Sequence, residues 1–395
     1  MVSIKYRGGR QRRTPALDHA VAAIREEAHR VAGLPMPLLP SERELALRLG
    51  ASRKTVRDAL DRLNLEGLIS GTDGTRCRLV VGCSGHDSVL ADTVVLLSVT
   101  DPNLPEDVGS EGWERFVDVG AMEAVRSAGL HLLVLNPAAL GLEGFRRCVG
   151  GKPFGILCTR RVEDLPEWNA MLATIVREAC PVVLFGNRPE FSRFDRVTSD
   201  QRDGGYQLAT FLARLGYRRL LQVWPDAASR TDWKRDREQG YADASAAGGL
   251  PLLSPLVMPA LDSSVLPPEA LLRMQAGYLA ERFATDGLPD AILAVSDGEA
   301  LSISAALAAL GHDHIPVAGY DHYWEPLVAG TPGARPPIAT IDKDNRAIGH
   351  AMAALLRERR QGNPKGAAPR HVVIAPRLVP TTGWHTASGA PIPAT

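Results

Sequence analysis

The sequence predicts an α/β protein with a small N-terminal winged helix-turn-helix domain and a large two-lobed domain of parallel sheets flanked by helices. Three observations carry that expectation. The 395-residue chain is formally neutral, yet residues 1–82 hold 15 Lys and Arg against 9 Asp and Glu, while the remainder holds 30 against 36. Such a split fits a module that meets a polyanion joined to one that does not. The basic front carries two helix starts separated by a tight turn, and from Asp92 onward short apolar runs alternate with longer helical stretches.

Residues 1–13 are basic, lack the apolar core of a signal peptide and read as a flexible N-terminus. The winged helix-turn-helix module is expected over 14–81. Leu17, Val21, Ile24, Ala28 and Val31 recur at helical spacing, so a helix should run from Pro15, a good first-turn residue, to about Ala32. Gly33 to Pro40 holds three prolines and must be a loop. Ser41-Glu42-Arg43-Glu44 has the form of a capping box, with Ser41 accepting from the Glu44 amide and Glu44 reaching back. Leu45 and Leu49 should face inward from the helix that follows. Gly50-Ala51 turns the chain, and Ser52 caps a third helix that runs to about Glu66, with Val56, Ala59, Leu60 and Leu63 as its apolar stripe. Leu68-Ile69 and Cys77 to Val81 read as two strands around the tip Gly71-Thr72-Asp73-Gly74.

Residues 82–91 are small and polar and read as a linker. The large domain is expected over 92–385, with 386–395 as a flexible C-terminus. Its candidate strands are VVLLSV, HLLVLN, FGILCT, VVLFGN, RLLQVW, AILAVS and PVAGYD, and its candidate helices include 112–128, 166–179, 201–215, 233–247, 268–285 and 298–310. Some 300 residues of this rhythm exceed one sheet and fit two similar lobes with a cleft between them (about 100–200 residues per core is usual). No apolar run reaches the roughly 18–20 residues of a membrane helix. Cys77, Cys83, Cys148, Cys158 and Cys180 are odd in number and match no zinc spacing, which points to a reduced, cytoplasmic protein without a metal or other cofactor. His312, His314 and His322 read as loop residues.

With Val56, Leu60 and Leu63 turned inward, Arg53 and Arg57 stand one turn apart on the opposite face of the third helix. Ser52, Lys54 and Thr55 gather at its N-terminal end, where backbone N–H groups also point outward. That arrangement suits phosphates and base edges in a major groove. Against it stands the plainer reading of a solvated charged face, but capping, turn, stripe and hairpin agree on a helix-turn-helix with a wing. The run LPSERELALRLGASRKTVRDALDRLNLEGLI closely resembles the winged helix-turn-helix of GntR-type bacterial transcription regulators. The resemblance implies DNA contacts from Arg43, Arg53, Thr55 and Arg57, with Lys54 in a slot that is often threonine. It implies wing contacts from Gly74 and Arg76, although Asp73 departs from the usual basic tip.

Residues 92–385 resemble the effector domain of the LacI/GalR family, itself similar to periplasmic sugar-binding proteins. VTSDQRDGGYQLATFLARLGYRRLLQV resembles that family's helix after the first crossover. The R-x-x-G-[FY] helix motif gives Arg237, Gly240 and Tyr241, the [ND]-D helix start gives Ser296 and Asp297, VAGYDHY gives Asp321, and ATIDKDN gives Asn345. Most of these lie at strand C-termini, where open α/β sheets take ligands. Arg237 offers a planar fork of donors and Asp321 two acceptors for adjacent hydroxyls, while Ser296 and Asn345 can do both. Asn187, after VVLFGN, is a further candidate, and Trp113, Phe116, Trp224 and Trp324 could stack on a sugar ring. Plainer roles remain open: a helix cap for Asp297, an Arg237–Asp321 ion pair, and core packing for any one tryptophan.

A GntR-like head on a LacI-like body resembles the arabinose-repressor subgroup. It implies a dimeric transcription regulator, a repressor by that resemblance, that binds a double-stranded operator and is controlled by a small effector of the sugar class. The alternatives are a constitutive DNA-binding protein whose large domain only dimerises, and a sugar-processing enzyme. The sequence holds no Gly-x-Gly-x-x-Gly after its first strand, no P-loop, no Gly-x-Ser-x-Gly and no HExxH.

Overall fold

The structure is a computed structural model that describes residues 15–32, 38–66, 68–70, 79–80, 89–98, 114–159, 165–226, 231–259, 266–362 and 368–392. The chain divides into two compact units, a head ending at Asp92 and a body from Thr93. Among the described residues no helix is long and apolar enough to cross a membrane.

In the head, α1 (Pro15–Ala32), α2 (Glu42–Leu49) and α3 (Arg53–Leu65) precede an antiparallel pair, β1 (Ile69–Ser70) and β2 (Leu79–Val80). The predicted stripes meet in one core. Leu17, Val21, Ile24, Ala28 and Val31 of α1 pack with Val56, Ala59, Leu60 and Leu63 of α3, and Leu39, Leu45 and Ile69 close the edges. Leu49 only flanks this core. Ser41 caps α2 as expected, accepting from the Glu44 amide at 3.3 Å. The reciprocal half of the box differs, because Glu44 turns to Arg48 one turn along the helix instead of back to Ser41. The expected wing tip and residues 1–14 lie outside the described residues. Of the expected linker, residues 82–88 also lie outside them, and Val89–Asp92 forms a single 3-10 turn.

The body begins with β3 (Thr93–Leu97), α4 (Glu114–Ser127), β4 (His131–Leu135), α5 (Pro137–Gly150), β5 (Gly155–Cys158), α6 (Trp168–Arg177), β6 (Val182–Phe185) and β7 (Asp195–Ser199). The chain then forms α7 (Gln201–Arg214), β8 (Leu220–Pro225), α8 (Asp232–Gly248), β9 (Leu256–Met258), α9 (Pro268–Asp286), β10 (Ala291–Leu293), α10 (Asp297–Ala309), β11 (Val317–Ala318), the single turn α11 (Glu325–Val328) and β12 (Ala339–Asp342). It ends with α12 (Asn345–Gly362), β13 (His371–Ile374) and β14 (Arg377–Pro380).

Two parallel sheets result. One lobe has the order β13-β7-β6-β5-β3-β4 and the other β11-β10-β8-β9, with β12 and β14 as a separate antiparallel pair. Strand alternation builds each lobe's two cores. Val94 and Leu96 face α4 and α12, while Val95 and Leu97 face α5 and α6. In the second lobe Leu221, Val223 and Ile292 face α9 and α10, while Leu220, Ala291 and Leu293 face α7 and α8.

Three segments pass between the lobes: 199–201 from β7 into α7, 342–345 from β12 into α12, and 374–377 from β13 into β14. They are tied together. The Asp200 amide donates to Ile374 O at 3.0 Å, and Arg377 donates to Asp342 at 2.9 Å. The C-terminus departs from the expected flexible tail. His385 pairs with Pro391, Ile392 is buried beside Trp384 in the α7–α8 core, and the Trp384 indole donates to Pro336 O, so the chain is folded through Ile392. Ile392, an apolar residue inside the expected tail, helps pin what composition alone marked as loose.

Candidate functional site

The helix-turn-helix geometry follows from three local choices. Gly50 ends α2 in the left-handed region at φ 55°, a conformation that only glycine adopts without strain. Ser52 then caps α3, accepting from the Thr55 amide at 3.1 Å with its hydroxyl 2.8 Å from that of Thr55. The apolar stripe faces inward, which leaves Arg53, Lys54 and Arg57 exposed. Arg43, in the first turn of α2, is exposed as well.

The head's cations fall into two groups. Arg62 pairs with Asp18 and Glu66, Arg25 with Glu66, Arg30 with Glu27, and Arg48 with Glu44 and Glu27. Arg43, Arg53 and Lys54 have no ion-pair or hydrogen-bond partner among the described residues. All three stand at the N-terminal ends of α2 and α3, where the helix dipole is positive and acids would ordinarily be favoured. Arg57 is exposed and also paired, with its Nη2 3.1 Å from Glu42 Oε2; that carboxylate holds the guanidinium proton more tightly than usual. Gly74 and Arg76 lie outside the described residues.

In the body, the candidate residues converge where the strands end and the chain crosses between lobes. Arg237 is buried on α8, its Nε donating to Gln201 at 2.7 Å and its Nη1 to Val295 O at 2.6 Å. Its guanidinium lies 3.4 Å from the Tyr320 ring centre and 4.8 Å from that of Trp233. Nη2 has no hydrogen-bond partner among the described residues. The R-x-x-G-Y spacing now has a physical cause. A Cβ on Gly240 would lie 2.0 Å from Arg202 O and one on Gly205 would lie 2.6 Å from Arg237 O, so α7 and α8 meet backbone to backbone and hold Arg237 at the crossing segment.

Asp321 is paired, but with Lys343 and not with Arg237. Lys343 Nζ lies 2.6 Å from Asp321 Oδ1, and both side chains are almost fully buried. Lys343, which sequence reasoning passed over, belongs to the second crossing segment, two residues before Asn345. Asp321 and His322 both have positive φ, at 91° and 55°, so backbone strain is concentrated here. Asn345 is buried at the start of α12 with Oδ1 unpartnered, and Ser199 Oγ on the first crossing segment is likewise buried and unpartnered among the described residues. Tyr320 OH and His322 Nδ1 share that condition. Buried polar groups are normally satisfied, so these atoms keep hydrogen-bonding capacity that no described residue meets.

Other candidates take structural roles. Ser296 is the N-cap of α10, accepting from the Glu299 amide at 3.3 Å. Asp297 is wholly buried; its oxygens accept from the Tyr323 amide at 2.7 Å and the Thr340 hydroxyl at 2.7 Å, and burial pushes its carboxyl up to about 7. Gly319 makes room for that carboxylate, since a Cβ there would lie 2.1 Å from Asp297 Oδ1. Trp224 is 1% exposed and packs on Tyr241 and Trp233, so it is a core residue and no stacking platform. Trp324 lies against Leu301 and Leu327. Trp113 lies outside the described residues. The part-exposed indole beside Arg237 is that of Trp233, one turn earlier on α8. From the first lobe, the Asn187 amide bonds the Asp236 carboxylate, which burial raises above the usual range. Ser98 and Thr159, at the ends of β3 and β5, both donate to Asp118 of α4. Among the described residues no cluster of His, Cys, Asp and Glu could hold a metal.

Comparison with known proteins agrees with both halves. The model of the gntR family of bacterial regulatory proteins matches residues 18–79, and that of the periplasmic binding protein-like domain matches residues 209–381. The HTH-type transcriptional regulator DegA of Bacillus subtilis (strain 168) is 25% identical over 234 residues, which cover 57% of this chain and 62% of DegA, under two thirds of its length. A transcriptional regulator CelR–cellobiose complex superposes with a TM-score of 0.54 at 20% identity, covering 93% of this chain and 98% of that one. A LacI family transcriptional regulator from Enterococcus faecium with bound ribose gives 0.55 at 17% identity, covering 76% and 100%. The chain thus joins a head that matches the gntR family of bacterial regulatory proteins to a body that matches the periplasmic binding protein-like domain.

Proposed function

We propose that this protein is a transcription regulator, a repressor, whose head binds an operator duplex and whose body binds a small polar effector of the sugar class between its lobes. The protein acts as a homodimer with one head per half-site. One observation supports the DNA reading: among its described residues the head pairs its other arginines with acids and leaves Arg43, Arg53 and Lys54 exposed and unpaired at two adjacent helix N-termini. The unmet hydrogen-bonding capacity of Ser199, Tyr320, His322 and Asn345, with the donor Nη2 of Arg237, supports a hydroxyl-rich guest. The named ligands of the two structural neighbours, cellobiose and ribose, point to the same class. Because the effector would lie against two of the crossing segments, 199–201 and 342–345, its binding biases the lobe angle, and DNA affinity responds by the same factor that DNA imposes on the effector.

The test is enrichment of a randomised duplex library on the full-length protein, followed by anisotropy titrations across salt. Replacing Arg43, Arg53 and Lys54 with Ala should each lower the salt slope by about 0.9. Slopes that stay unchanged in all three variants would refute the assignment. In parallel, pentoses, hexoses and disaccharides are screened by thermal shift; a true effector at 100 Kd adds about 2.7 kcal/mol and must also change duplex affinity.

A further inference from the structure

We propose that Glu42 is a positioning residue for DNA recognition: its carboxylate holds the Arg57 guanidinium in one orientation and so fixes which base edge Arg57 reads. The inference rests on the DNA-binding reading of the head. Arg57 is turned outward on α3, 61% exposed at the side chain, and yet bound to an acid of another helix. Both Nε and Nη2 donate to the same oxygen, Glu42 Oε2, at 3.3 and 3.1 Å. That uses the side edge of the guanidinium. The end edge, formed by Nη1 and the second Nη2 proton, keeps the parallel pair of donors that matches O6 and N7 of guanine.

Glu42 sits on the face that would meet the duplex, in the first turn of α2. An acid there repels phosphate, so it works against sequence-independent binding. It gains its place if it converts a mobile cation into an oriented one, because a guanidinium fixed by one carboxylate loses less freedom when it meets a base. Arg53 and Lys54, with no such tether, remain suited to phosphates. Two other roles for Glu42 are separable from this one: direct acceptance from a cytosine amino group, and support of the α2 N-terminus.

A double-mutant cycle in the full-length protein decides among them. Wild type first enriches a site from a randomised duplex library; Glu42→Gln, Arg57→Ala and the double variant are then titrated against that site and against random duplex. Glu42→Gln should weaken the enriched site about tenfold, lose preference at one base pair, and bind random duplex as well as or better than wild type. In the Arg57→Ala background, Glu42→Gln should change affinity by less than about twofold, because its effect runs through Arg57. An equal loss in both backgrounds overturns the proposal in favour of direct reading or helix support, and support alone would weaken random and enriched duplex alike. No loss in the wild-type background overturns it too. If the wild-type protein enriches no sequence at all, the DNA reading fails first and this inference falls with it.

Discussion

In the head, Arg43, Arg53 and Lys54 stand exposed with no acid beside them among the described residues, whereas in the body Arg237 and Lys343 are buried and each is held by oxygens of the chain. The two arrangements suit different partners. Exposed unpaired cations are free to displace the counterions condensed on a nucleic acid's phosphates, so such an interaction is strong and sensitive to salt. Buried cations have already lost their water, and their protein partners fix them in place. They offer a rigid pattern of donors to a neutral ligand, worth more in selectivity than in net attraction. A chain with no net charge thus handles its cations in two ways, leaving some exposed in the head and burying others against acceptors in the body.

The sharpest way to break this comparison is at Lys343. If its charge is a built part of the body, Lys343→Met leaves the buried Asp321 carboxylate unpaired, and urea unfolding should show a loss of about 3–5 kcal/mol. Adding Asp321→Leu should recover most of that loss, since removing both charges spares their desolvation. A loss below about 1 kcal/mol for Lys343→Met would mean that the ammonium is solvated like those of the head, and the contrast would dissolve.

A smaller effect lies in Asp297, the acid that burial pushes up to about 7 from its ordinary 3.8. Because the folded carboxyl holds its proton more tightly than the unfolded one, the folded state binds more protons between about pH 4 and 7. Stability of the body should therefore fall as pH rises through that window, by up to about 1.4 kcal/mol per pH unit from this group, and level off above it. Asp297→Asn should flatten that slope in a pH series of melting curves. A slope that survives unaltered would place the titration elsewhere.

How far the sequence disclosed all this depended on whether a residue's partner was local. Every head helix was legible to within a residue or two, because caps, turn and stripe are set by neighbours three or four positions apart, as Ser41, Gly50, Ser52 and Leu63 show. Arg237 was legible for a similar reason: Gly240 and Tyr241 on the same helix record the close approach of α7. Lys343 was not, since a lysine between Asp342 and Asp344 reads as a solvated charge, and its true partner lies 22 positions earlier across the sheet edge. Helix α5 was missed because Pro137 and a left-handed Gly141 at φ 64° interrupt its apolar period. The strands β12, β13 and β14 were not named from the sequence, and pairing declares them. Trp224 failed as a stacking candidate for the converse reason, as an aromatic at a strand end looks the same whether its indole turns into the core or out.

The smallest predicted effect serves as the control that keeps the head's assignment specific. Arg62 lies on α3 with Arg53 and Arg57, and by sequence alone it belongs to the same basic helix. In the structure it turns back to Asp18 at 2.9 Å and Glu66 at 3.4 Å, so its charge is already compensated. Arg62→Ala should change stability by no more than about 1 kcal/mol, as expected for part-exposed pairs, and should leave both the salt slope and the duplex affinity where they were. The comparison with Arg53→Ala then reads pairing and not mere charge: two arginines on one helix, one spoken for by acids of the head and one not. Equal losses of DNA affinity in the two variants would show that the duplex senses only the overall field of α3, and the division of the head's cations into structural and DNA-facing groups would have to be given up.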